Sequence, residues 1–138
     1  MDEIIDALRQ RCEKIPVPLD LPTEDDLIDV EEQLFLTLPT EYREFLLSVS
    51  DVVYGTIEPT TAADPHSHTY IPDVAAEAWN NGMPRHLIPI CQRDTEYFCI
   101  DPDGIVMHWS RGRLSDHQWE SIWEWVERVW LSGDTGAR

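Results

Sequence analysis

A chain of 138 residues, 42% hydrophobic and with 6 Trp, holds enough apolar material for one core. Such a length buries roughly two-thirds of the surface its unfolded form exposes, so no metal or disulfide is required to hold it together. Ten Lys+Arg stand against 27 Asp+Glu, a formal net charge of −17, and a field of that sign repels phosphate backbones and anionic membranes, which speaks against direct nucleic-acid or membrane binding.

No window approaches the roughly 20 apolar residues needed to span a bilayer. The opening Asp2-Glu3 lacks the positive charge of a signal peptide, so a cytoplasmic location is expected. The three cysteines, Cys12, Cys91 and Cys99, form no CxxC and no even-numbered framework, which reads as buried, reduced thiols.

In chain order, Ile4, Ile5, Leu8 and Cys12 recur at helical spacing, predicting a short amphipathic helix over Asp2–Glu13. Ile15–Pro22 carries three prolines and reads as an extended connector lying against the domain. Thr23 and Asp26 make a capping box ahead of a second helix, with Leu27, Val30 and Leu34 as its buried stripe and Asp25, Asp29 and Glu32 facing outward. Leu38-Pro39-Thr40 stops that helix and caps a third, in which Tyr42, Phe45, Leu46 and Val49 have core-facing spacing. Val53–Ile57 reads as a strand, Pro59–Pro65 as a loop, and Ile71–Asn80 as a helix closed by Asn81-Gly82. Three strands follow, Leu87–Cys91, Glu96–Ile100 and Ile105–Trp109, the last two joined by the hairpin signal Asp101-Pro102-Asp103-Gly104. Ser115 and Gln118 form a second capping box before a closing helix with Trp119, Ile122, Trp123, Val126 and Trp130. Ser132-Gly133 ends it, and Asp134–Arg138 reads as a frayed tail.

Hairpins without βαβ alternation give an α+β class: a central sheet of about four to five strands, antiparallel or mixed, packed by N-terminal helices, one mid-chain helix and a C-terminal helix.

At this point the residues match a known pattern. Thr23–Gly55, with Leu38-Pro39-Thr40-Glu41-Tyr42-Arg43-Glu44-Phe45-Leu46 at its centre, resembles the opening of the SUKH superfamily, which includes the Smi/Knr-type cell-wall assembly regulators. Ile88–Cys91, Glu96–Asp101 and Gly104–Trp109 are similar to its three central strands, and Ser115–Leu131 to its closing helix. The likeness runs from about residue 22 to 131, so residues 1–138 are expected to form a single SUKH-like domain. It departs from the family pattern at Ser50-Asp51-Val52-Val53, where an Asn-Gly turn is common, and at Gln92-Arg93-Asp94-Thr95. The resemblance implies immunity proteins that neutralise toxin domains, often nucleases, or regulatory scaffolds, and it implies no catalytic residues.

Several constellations could carry chemistry. Asp64 with His66 and His68 is a candidate metal set, because His-x-His on a strand aims both imidazoles one way; against it stands a plain polar loop. There is no GxSxG, no phosphate-cradling GxxxxGK[ST] and no basic setting for a thiolate, so no enzyme activity and no cofactor are expected. Trp119, Trp123 and Trp130 read as a buried stripe, Trp125 as an exposed residue off it, and Tyr54, Trp79 and Trp109 as a possible groove for a small ligand. The acids Asp25, Asp29 and Glu32 on one helix face, and Asp94, Glu96, Asp101 and Asp103 at strand ends, are the candidate partner-binding residues. They are either a solvated face or a mimic of a nucleic-acid backbone that blocks a basic cleft.

Overall fold

The computed structural model describes residues 2–16 and 19–132. Among the described residues, five α-helices pack around one antiparallel sheet: α1 (Asp2–Arg11), α2 (Glu24–Leu34), α3 (Thr40–Val49), α4 (Ile71–Asn80), β1 (Ile88–Arg93), β2 (Glu96–Ile100), β3 (Val106–Ser110), β4 (Arg113–Trp119) and α5 (Ile122–Trp125). The last helix widens into a π-helical segment, Val126–Leu131. Strands lie in the order β1-β2-β3-β4, every pair antiparallel. The class expected from the sequence, α+β with an antiparallel sheet, is the one observed.

Strand alternation divides the core in two. Phe98, Ile100, Val106 and Trp119 face the larger cluster, with Phe45 of α3 and Trp125 and Val129 of the closing helix. Tyr97, Cys99 and Trp109 face the smaller one, where α4 contributes Val74 and Ala78. The sheet is thus covered on both faces. Tyr42 is fully buried, and its hydroxyl lies 3.0 Å from Thr60 Oγ1, which donates to the Pro89 carbonyl. That chain of bonds pins the Pro59–Thr60 loop to β1.

Some local signals held. In the α2 box, Thr23 Oγ1 accepts from the Asp26 N–H at 3.1 Å, and the Asp26 carboxylate accepts from the Thr23 N–H at 2.8 Å. In the β2–β3 turn, Asp101 Oδ1 accepts from the N–H groups of Asp103 and Ile105, with Gly104 at φ 90.

Others are corrected. Val53–Ile57 forms no sheet strand: Gly55, at φ 63, folds the segment back so that Tyr54 and Ile57 bridge only each other. Pro39, not Thr40, takes the N-cap position of α3. Ser115–Gln118 is not a helix start but lies inside β4, because Arg111 and Gly112, at φ 56 and 81, turn the chain back along β3. The working cap is Ser121, whose hydroxyl accepts from the Glu124 N–H. Trp119 is therefore buried from the sheet rather than from a helix stripe.

Trp125, read as exposed, is fully buried. The closing helix buries a broad apolar face and leaves only Glu127 and Arg128 exposed: Trp125 packs on Phe98 of the sheet at 5.5 Å, and Trp123 on Phe45 of α3 at 6.0 Å. Cys91 and Cys99 are buried, but α1 ends at Arg11 and leaves Cys12 exposed. In the connector, Pro22 is buried while Leu19 and Leu21 are exposed; Val17-Pro18, Gly133 and the tail Asp134–Arg138 lie outside the described residues.

Candidate protein interface

The site is built from α2. Its six acids, Glu24, Asp25, Asp26, Asp29, Glu31 and Glu32, have no basic residue among them. Three are used internally. Asp26 closes the cap. Arg43 of α3 donates to Glu24 and to Glu31 Oε1 (3.1 Å), while Glu31 Oε2 accepts from the Leu38 N–H at 2.7 Å. Because Leu27, Val30 and Leu34 fix which face is buried, the helical period turns Asp25, Asp29 and Glu32 to solvent along one line. Among the described residues none of these three has an ion pair or hydrogen bond, and all are exposed.

Two exposed apolar side chains stand beside that line. Ile28 is 45% exposed and Phe35 87%. Phe35 is the α2 C-cap in the left-handed conformation (φ 56, ψ 34), its N–H donating to the Glu31 carbonyl. Ile28 and Phe35 flank a shallow hollow of about 320 Å³ whose other walls are Glu31, Glu32, Leu36 and Thr37. Sequence reasoning named the acids but not these residues. An apolar pair at i and i+7 on the polar side of an acidic helix is the signal that was there to be read.

The other four acids lie along β2 and in the turns at its two ends. Asp94 is in the β1–β2 turn in a left-handed conformation (φ 55), and Asp101 and Asp103 are in the β2–β3 turn. The length of β2, roughly 20 Å, separates the two turns. Glu96 faces inward: its Oε1 lies 2.8 Å from His108 Nε2, and its Oε2 3.6 Å from Arg93. His108 is buried beneath Phe98 and also meets Ser115 Oγ at 3.1 Å. Asp101 is committed to its turn, so Asp94 and Asp103 are the exposed carboxylates there.

Tyr54, Trp79 and Trp109 do not share a groove. Trp109 is buried against Tyr97 at 5.7 Å, and Trp79 donates to the Leu87 carbonyl while Arg85 lies over its ring at 4.7 Å. Tyr54 belongs to the other cluster, its carbonyl accepting from Trp130. A separate cleft of about 340 Å³ runs between Val52–Thr61 and Ser67–Thr69. His68 meets Glu58 there at 2.8 Å, whereas Asp64 caps its own turn by accepting from the His66 N–H. Among the described residues no three His, Cys, Asp or Glu are grouped to hold a metal. Burial pushes the thiols of Cys91 and Cys99 up to about 12, where they carry almost no thiolate at neutral pH.

The family model SUKH_5, described as SMI1-KNR4 cell-wall, matches residues 1–131. The chain belongs to this family. The SUKH likeness read from Leu38–Leu46 and the three central strands is thereby shown. Among solved structures, a protein from Pseudomonas syringae pv. tomato is similar, at 52% identity with a TM-score of 0.93 over 96% of this chain and 99% of that one. No curated protein matches. Among the described residues of this SUKH chain, no helix is long and apolar enough to cross a membrane.

Proposed function

We propose that this SUKH protein is a non-catalytic protein-binding module of the immunity type, which binds and neutralises a basic toxin domain, of nuclease type, in the cytoplasm. The observation that carries this reading is the row of exposed, unpartnered carboxylates on α2, Asp25, Asp29 and Glu32, in a chain of net charge −17. Carboxylates free of internal ion pairs are available to a cationic partner, and their field speeds its encounter by up to about a thousandfold at low salt. Asp94 and Asp103, at opposite ends of β2, add two further exposed carboxylates that stand apart from each other. The high pKa values of the buried thiols fit a role without nucleophilic chemistry.

The test is a pull-down from native lysate at low and high salt, with mass spectrometry of what is retained. A basic nuclease-like domain that is held at low salt and lost at high salt is the expected result. Retention of no basic domain at low salt overturns the reading. One observation favours a second role: the family description, SMI1-KNR4 cell-wall, suits a regulatory scaffold in envelope assembly, and that reading is supported if envelope-assembly proteins are retained instead.

A further inference from the structure

We propose, resting on the protein-binding reading above, that the hollow between Ile28 and Phe35 is a notch for an arginine side chain of a basic protein partner. The guanidinium stacks over the Phe35 ring and donates to Glu32, while its aliphatic stem lies on Ile28 and Leu36.

Phe35 contributes little to the fold where it stands. It is 87% exposed, and it occupies a left-handed C-cap position (φ 56) that Gly or Asn fills without strain. A large aromatic held in solvent in an unfavourable backbone conformation points to something outside the chain. Its surroundings say what. An exposed ring face attracts cations, arginine most often, and the hollow joins that ring to an apolar floor and a free carboxylate. These match the planar head and the alkyl stem of arginine. Glu31, across the hollow, is already held by Arg43 and the Leu38 N–H, so Glu32 and then Asp29 remain to receive the guanidinium. A second copy of this chain fits poorly, because the same stripe would set Asp25, Asp29 and Glu32 against themselves.

The experiment is an NMR titration of the isotope-labelled full chain with two probes, tri-arginine amide and tri-lysine amide. With tri-arginine, the shifts are expected to centre on Ile28, Glu32, Phe35 and Leu36, and the affinity to exceed that of tri-lysine. Phe35→Ser and Phe35→Leu, the second keeping apolar bulk without a ring, are each expected to weaken tri-arginine binding by about fivefold. Their thermal midpoints, read beside the titration, report whether they fold. Equal binding of both probes spread over Asp94 and Asp103, or unchanged affinity in Phe35→Ser, overturns the notch. So does a sedimentation-detected dimer abolished by Phe35→Ser, which places a second copy on this face. Notch and immunity role fail separately. A toxin domain retained equally by Phe35→Ser removes the notch alone; tri-arginine seated at Phe35 with no toxin domain retained removes the immunity role alone.

Discussion

Helix α2 and the closing helix start in the same way: a hydroxyl N-cap, Thr23 or Ser121, accepts from the N–H three residues on, and that third residue is an acid. Beyond the cap they diverge. The closing helix lies between the sheet and α3 and buries Trp123, Trp125 and Trp130, whereas α2 has only the narrow stripe Leu27, Val30 and Leu34 inside and leaves Phe35 in water. Aromatic content therefore says little about burial here. What decides is how many packed layers a helix meets: the closing helix meets two, and α2 presents one whole face to solvent.

The largest blow to that contrast is expected on the buried side. Trp125→Ala empties a site enclosed by Phe98 and Trp130 and should cost about 3–5 kcal/mol of unfolding free energy, measurable by urea denaturation. Phe35→Ala, outside the core, should move the same midpoint very little.

Alkaline pH gives the next effect. Cys91 and Cys99 have folded pKa values raised by burial to about 12, above those of the unfolded chain. Their contribution to stability is thus complete below the unfolded thiol pKa, near 8.5–9, and is lost as pH climbs toward 12. Denaturation midpoints are expected to fall steadily across that window. Buried Tyr42, also raised by desolvation, acts in the same direction at its upper end. Iodoacetamide at pH 8 should label Cys12 alone until the chain unfolds, a mass shift of one adduct becoming three.

Two smaller changes sharpen the comparison at α2. Thr23→Ala removes the cap acceptor and should cost about 1 kcal/mol. Phe35→Gly should do the opposite and raise stability by about 1 kcal/mol, since glycine adopts the left-handed conformation freely. A gain in melting temperature with a loss of partner affinity would be the signature of a residue kept for binding.

What could be read in the sequence was local. The Thr23–Asp26 box and the Asp101–Gly104 turn are made by residues within four positions of one another, so composition suffices to find them. The start of the closing helix was misread because two boxes follow in succession, Ser115-x-x-Gln118 and Ser121-x-x-Glu124. Only the pairing of β4 with β3 chooses between them, and that pairing depends on the Arg111-Gly112 turn. Val53–Ile57 has strand composition but no neighbour to pair with. In the candidate interface the acids were legible as an outward helix face, while Phe35 was not, because periodicity marks which residues are buried and says nothing of an aromatic that falls just past the stripe.

The closing helix also sets an order of events during synthesis. Trp130 donates to the carbonyl of Tyr54, 76 positions earlier, and the π-helical segment packs on α1 at the other end of the chain. Helices α1 to α3 leave the ribosome long before that partner exists, with Phe45 still lacking Trp123 and Trp130. Their apolar faces stay open until the last tryptophans emerge, so a nascent chain stalled before Trp119 is a better client for a chaperone than for folding.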